Sequence, residues 1–264
     1  MASISTIFQR LAKKNRKALI PFITAHFPNR QVFNELLHQL PDAGADIIEI
    51  GIPFSDPMAD GWVIQKTSEI ALANGFQFAT LLDDIQSFKS VFPDIPIVLM
   101  TYLNPLVHYG MDQFIFDAES VGVNGALMVD LPPEHHHKLI TKPHALDIIC
   151  LVTATTKKDR LPMIQKTAGG FIYYVAIKGV TGSKLPDKTA IESHLTPLKS
   201  HIQLPVVVGF GINSPTVAKD MASVSDGVIV GSAFISPFIE ANDYNVTTHA
   251  QLQFLRDISH GIHA

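Results

Sequence analysis

One acidic residue stands inside an otherwise apolar run, Ile47-Ile48-Glu49-Ile50-Gly51-Ile52-Pro53. The run has the composition of a strand, and side chains alternate across a strand. Ile48, Ile50 and Ile52 then share one side, and Ile47, Glu49 and Gly51 share the other. A carboxylate surrounded by apolar side chains is held above its ordinary pKa. That suits a group that must both give and take protons near neutrality. The plain alternative is a buried Glu paired with a Lys or Ser, but no strand-like run supplies an inward Lys or Arg.

The loop that follows reads Pro53-Phe54-Ser55-Asp56-Pro57-Met58-Ala59-Asp60-Gly61. Two acids four residues apart, punctuated by Pro and Gly, make a shaped loop rather than a helix. Asp60 suits the N-cap of a helix starting near Trp62. Equally, one of the two acids faces a ligand, and position alone leaves both readings open.

Three glycine-bearing loops follow consecutive strand-like runs: Gly179-Val180-Thr181-Gly182, Gly209-Phe210-Gly211 and Gly231-Ser232-Ala233. Glycine lets the backbone approach an anion, and a helix start offers free N–H groups to bind it. No Arg lies between Arg30 and Arg160. A phosphate here is expected to rest on backbone amides, Ser232, and Lys178 or Lys184, not on an arginine clamp. His135-His136-His137 resembles a metal cluster. Successive helical residues point about 100° apart, so all three cannot bind one ion, and a solvated helix face is expected. Asp130 ends the fourth run, as a support for the site or as the start of the helix after Pro132-Pro133. Tyr102, Tyr173 and Phe210 end strand-like runs, where they line either an aromatic pocket or ordinary packing.

These residues need a scaffold that brings strand ends together. Eight strand-like runs are legible: Leu19–Thr24, Ile47–Ile52, Ile97–Tyr102, Gly125–Leu131, Ile148–Val152, Phe171–Ala176, Val206–Phe210 and Val228–Gly231. Helical patterns separate them at Gln31–Ala43, Trp62–Ala73, Thr80–Val91, Met111–Val121, His135–Ala145, Lys157–Thr167, Ala190–Lys199 and Pro215–Ala222, with a last one at Thr248–Ile258. Ile4, Ile7, Phe8 and Leu11 mark one face of an extra N-terminal helix. Several strand-like runs are nearly continuous in Val, Ile and Leu, as in parallel strands covered on both sides. The pattern predicts an α/β fold, a (β/α)8 TIM barrel in a single domain over residues 1–264. A doubly wound sheet is the second choice. Barrels carry their chemistry at the C-terminal strand ends, where the residues above fall.

Composition narrows the class. The chain has 264 residues, 47% hydrophobic and 17% charged, with 20 Lys+Arg against 24 Asp+Glu and a net charge of −4. That balance lacks the basic footprint of a nucleic-acid binder. The longest apolar stretches run about eight residues, short of the ~20 that span a bilayer. One cysteine, Cys150, forms no internal disulfide, and a reducing, cytoplasmic setting is expected. Residues 1–34 contain no acid, but a strand-like run already begins at Lys17, so a helix is expected there and not a removable leader.

Taken together, the segments Pro21-Phe22-Ile23-Thr24, Ala43 through Gly61, Met100-Thr101-Tyr102-Leu103-Asn104-Pro105, Asp130-Leu131-Pro132-Pro133-Glu134, Gly179-Val180-Thr181-Gly182 and Gly209-Phe210-Gly211-Ile212 resemble the tryptophan synthase α-subunit family over essentially the whole chain. The resemblance implies a lyase of L-tryptophan biosynthesis that splits indole-3-glycerol phosphate, by a retro-aldol step, into indole and glyceraldehyde 3-phosphate. It implies Glu49 as acid/base and Asp60 as the carboxylate that holds the indole N–H. Phe22, Tyr102, Tyr173 and Phe210 match pocket residues; Thr181, Gly182, Gly211, Gly231 and Ser232 match the phosphate cradle. It implies no metal or organic cofactor in this subunit, and a pyridoxal-phosphate β subunit as partner in an αββα assembly. Neither nucleic acid nor membrane is an expected partner. The alternatives are a stand-alone lyase that releases free indole and a non-catalytic barrel that activates a β subunit. Three positions depart from the family pattern: His26 at a usual Gly, Trp62 at a usual Pro, and Ala176-Ile177-Lys178 at a usual Ser-Arg-Thr or Ser-Arg-Ser.

Overall fold

The computed structural model describes residues 2–176, 188–209 and 211–263. Parallel strands form the core, in the order β1 (Ala18–Thr24), β2 (Ile48–Gly51), β3 (Ile97–Thr101), β4 (Gly125–Met128), β5 (Asp147–Ile148), β6 (Cys150–Thr153), β7 (Ile172–Val175), β8 (Val206–Gly209) and β9 (Gly227–Val230). In the sheet they run β5-β4-β3-β2-β1-β9-β8-β7-β6. β5 and β6 are halves of one stave, interrupted at Ile149. The lower half pairs with β4 and the upper half with β7. Eight staves thus make a nearly closed barrel, as the eight runs predict. The run Ile148–Val152 is the one that divides.

Helices cover the outside: α1 (Ile4–Lys13), α2 (Arg30–Gln39), α3 (Trp62–Ala73), α4 (Phe78–Val91), α5 (Leu103–Tyr109), α6 (Met111–Ser120), α7 (His136–Leu139), α8 (Leu161–Thr167), α9 (Lys188–Lys199), α10 (Pro215–Val224), α11 (Ser232–Ile235) and α12 (Tyr244–His263). The Ser3 hydroxyl caps α1 by accepting from the Thr6 N–H at 3.1 Å. Its face of Ile4, Ile7, Phe8 and Leu11 is buried, as its periodicity predicts. Ile4 packs beside Gly125 and Gly170, and the rings of Phe8 and Phe171 lie 5.9 Å apart. Gly125 opens β4 and Phe171 precedes β7. The helix therefore covers the N-terminal end of the barrel and leaves the opposite mouth for chemistry.

Several predicted helices change length, with proline as the main cause. The pattern over Gln31–Ala43 stops at Gln39 because Pro41 has no N–H to continue the ladder; a 3-10 turn, Pro41–Ala43, follows. The pattern over His135–Ala145 shrinks to His136–Leu139. Pro143 disfavours helix for the residue before it and removes a donor. α5 emerges directly after Tyr102, inside a stretch whose Pro105 obscures its helical character. α12 extends past both ends of the Thr248–Ile258 pattern.

Candidate active site

Glu49 sits in β2, in register with Phe22 of β1 and Val98 of β3. It is 2% exposed, and neither carboxylate oxygen has a hydrogen-bond partner. Burial pushes its pKa from 4.5 to about 8, and the negative charge of Asp60 adds to the shift. Alternation along the strand thus delivers the inward acid that the sequence predicts, in a protonated form at neutral pH.

The loop after β2 resolves its own ambiguity. Asp56 is exposed and accepts the Ser55 hydroxyl at 2.5 Å. Asp60 is buried and accepts the Tyr102 hydroxyl at 3.0 Å. That same Tyr102 oxygen accepts the Ala59 N–H at 3.0 Å, which fixes the loop against the end of β3. The cap of α3 is Gly61, with no side-chain hydrogen bond. Asp60 is therefore aimed inward instead of capping the helix. Burial raises its pKa to about 6, and the Tyr102 hydrogen bond restrains the rise. Two carboxyls in one electrostatic neighbourhood are held apart in pKa, one protonated and one ionised at pH 7.

Aromatic walls flank Asp60. Phe22, Phe54, Asp60 and Tyr102 line a narrow cleft, together with Ile52, Ile64, Met100 and Thr101. The rings of Phe54 and Tyr102 lie 5.4 Å apart, inclined by 33°. Tyr173 is buried on β7; burial first, then the charges of Glu49 and Asp60, raise its pKa. It lies across the backbone of Gly209, where an added Cβ would meet its hydroxyl oxygen at 2.2 Å. Phe22 lies likewise on Gly51, where a Cβ would meet its ring at 2.5 Å. Gly51→Ala is expected to displace Phe22 and cost about 1–3 kcal/mol of stability, read from the denaturant midpoint. Phe54, Ile64 and Met100 are wall residues that the sequence reading did not single out. Phe54 alone carried a signal, an aromatic residue directly following the strand-ending Pro53.

Of the expected phosphate cradle, Gly211 has a left-handed φ of +79°, and Gly231 precedes α11, whose first residue is Ser232. The first N–H groups of such a turn have no partner within the helix. Ile177, Lys178, Gly179-Val180-Thr181-Gly182, Lys184 and Phe210 lie outside the described residues. Asp130 accepts the Leu103 N–H at 2.7 Å and so supports the start of α5. The histidine run is a correction: His136 is buried, with His135 and His137 exposed, so the face is not wholly solvated. Among the described residues no cluster of His, Cys, Asp or Glu is fit to hold a metal.

Two of the unusual positions acquire a structural account. Trp62 opens α3 with 63% of its surface exposed, and Met58, four residues earlier, is 75% exposed. His26 adopts φ +56°, where glycine is at ease and other residues lose roughly 1–2 kcal/mol. Its Nε2 donates to Asp84 Oδ2 at 2.8 Å, and Arg30 grips the same carboxylate from α2.

Comparison with known proteins identifies the family. Residues 8–262 match the family model described as tryptophan synthase alpha chain. The tryptophan synthase alpha chain of Burkholderia thailandensis is 44% identical over 247 residues, covering 93% of this chain and 91% of its own. The solved alpha subunit from Legionella pneumophila superposes with a TM-score of 0.89 at 37% identity, over 99% of this chain and 98% of that one. A chain of the aminoacrylate-bound tryptophan synthase of M. tuberculosis gives 0.86 at 28% identity, over 99% and 100%.

Proposed function

The chain belongs to the tryptophan synthase alpha chain family, lyases of tryptophan biosynthesis, and from that premise we propose that Glu49 and Asp60 together split indole-3-glycerol phosphate. The observation that carries this reading is the pair of buried acids whose environments drive their pKa values to about 8 and about 6. In its protonated form Glu49 gives its proton to the ring carbon that bears the side chain. Positive charge develops at the indole nitrogen and is stabilised by ionised Asp60. Glu49, now a carboxylate, takes the proton of the side-chain hydroxyl. The carbon–carbon bond breaks, its electrons return to the ring, and indole and glyceraldehyde 3-phosphate result. Glu49 ends protonated, as it began: the proton it gave stays on the ring carbon of indole, and the hydroxyl proton takes its place.

Phe22, Tyr102 and Tyr173 line the ring slot, with Phe210 expected beside them. Gly211, Gly231 and Ser232 hold the phosphate through backbone amides and a hydroxyl, and we assign Thr181 and Gly182 to the same site. The alpha chain family fits a subunit without a cofactor of its own. We assign pyridoxal phosphate to a β subunit, in a cytoplasmic αββα complex. No described helix is long and apolar enough to cross a membrane.

The exposed side chains of Met58 and Trp62, on either side of Asp60 in the chain, favour a partner at this mouth of the barrel. Trp62→Ala is expected to weaken β-subunit binding roughly 10- to 100-fold, the range of an aromatic anchor, in titration calorimetry. Indole formation from indole-3-glycerol phosphate, measured with and without titrated β subunit, tests the whole reading. Stimulation by the partner supports it. Full activity alone, with no stimulation, would favour a stand-alone lyase, and no turnover under either condition a non-catalytic activator.

A further inference from the structure

The loop after β1 is tied down by an arrangement that the acid pair does not itself require. His26 is 5% exposed, its ring edge-on to Phe33 and Phe76 at 5.5 and 5.2 Å. Asp84, from α4, receives it at 2.8 Å and is gripped by Arg30 through Nε at 3.0 Å and Nη2 at 2.8 Å. Asp84 and Arg30 are the charged groups that bear on His26, and Asn34 also hydrogen-bonds Asp84. Burial opposes the Asp84 charge, but the hydrogen bonds from Arg30, Asn34 and His26 outweigh it and keep the pKa low. Asp84 stays ionised and acts only as an acceptor, so His26 Nε2 carries the proton between them.

What this anchor holds is the framework of the two acids. Ala25 N–H donates to the Gly51 carbonyl at 2.9 Å, at the end of the strand that carries Glu49. Thr24 and Thr67 share a hydroxyl hydrogen bond of 2.7 Å, and Asn74 donates to the Pro28 carbonyl at 2.7 Å. Thr67 lies on α3, the helix that starts directly after Asp60-Gly61, and Asn74 is its C-cap. The loop therefore clamps β2 to α3, and Phe22, across from Glu49 in β1, rests on Gly51 beneath the clamp.

We propose that His26, through Asp84 and Arg30, is a positioning residue that fixes the loop after β1 and thereby the apolar packing around Glu49. The left-handed backbone at His26 is tolerated because the side chain is anchored. The consequence for catalysis rests on the reading of Glu49 as the acid/base.

His26→Asn is the informative variant. Asn accepts the left-handed backbone but is too short to reach Asp84. The Glu49 carboxyl is followed by carbon-13 NMR titration, alongside the pH profile of kcat for indole formation. The expected result is a Glu49 pKa lowered by about one unit, with the alkaline limb of kcat moving equally. Turnover at pH 8 then falls roughly fivefold, approaching tenfold at higher pH, while KM changes less than twofold. His26→Gln, which can still donate to Asp84, restores both. Asp84→Asn serves as a second variant of unchanged volume where His26→Asn folds poorly. A lowered melting temperature with the Glu49 titration unmoved would overturn the proposal and leave His26 a structural residue. A wild-type alkaline limb that does not coincide with the Glu49 titration would overturn the acid/base role instead. The NMR shift still decides the role of His26 in that case.

Discussion

Glu49→Gln is expected to lower kcat for indole formation by about 10²–10⁴-fold, the usual contribution of general acid–base catalysis. Gln fills the same space at the inward position of β2 but can neither lend nor recover a proton. Phosphate-ligand binding should survive, because the expected cradle lies on other staves. The same variant should also be more stable at alkaline pH. The folded Glu49 pKa is raised from 4.5 to about 8, so the folded state keeps a proton that the unfolded chain gives up. Wild-type stability therefore falls as pH rises from about 4.5 to about 8, and is flat above. Gln has no proton to lose, so the Tm advantage of the variant is absent near pH 4 and largest above pH 8. There it corresponds to a few kcal/mol. Unchanged turnover would remove Glu49 from the mechanism; a Tm difference independent of pH would show that its carboxyl titrates normally.

That a dead variant should gain stability explains why Glu49 was legible at all. A carboxylate with no hydrogen-bond partner in an apolar run violates the ordinary rule of burial, and such violations collect at functional sites. Alternation with period two was enough to give its direction. The barrel was legible for equally local reasons, since most staves are short apolar runs rich in Val, Ile or Leu. Choosing between Asp56 and Asp60 was not possible locally, because Tyr102, which holds Asp60 inward, lies 42 residues away. The His26 anchor depends on Asp84, 58 residues distant on α4. The helix expected over His135–Ala145 is cut short for a local reason, Pro143, that stands in the sequence itself. The divided fifth stave could not be read, because its halves differ in their neighbours and not in their own sequence.

Asp60→Asn is the second large effect, and it separates charge from shape. Asn keeps the size of Asp and can still accept the indole N–H through its amide oxygen. It lacks the negative charge that stabilises the protonated ring, a loss of about 10²–10³-fold in kcat when a preorganised group is removed. KM should change little, because the ring slot and phosphate cradle remain. The pH profile carries the finer signature. The wild type should rise as Asp60 ionises near pH 6 and fall as Glu49 loses its proton near pH 8. In Asp60→Asn the acid limb disappears. Its alkaline limb moves to lower pH, because one of the two causes that raise Glu49 is the Asp60 charge. Tyr102→Phe should act in the opposite sense on the acid limb. The Tyr102 hydroxyl lowers the Asp60 pKa, so removing it moves that limb upward while the charge remains available at higher pH. Near-wild-type turnover in Asp60→Asn would reduce Asp60 to a residue that merely orders the loop through Tyr102. A parallel loss in both variants, with neither limb displaced, would point the same way, because only a carboxylate that acts by its charge links the two titrations.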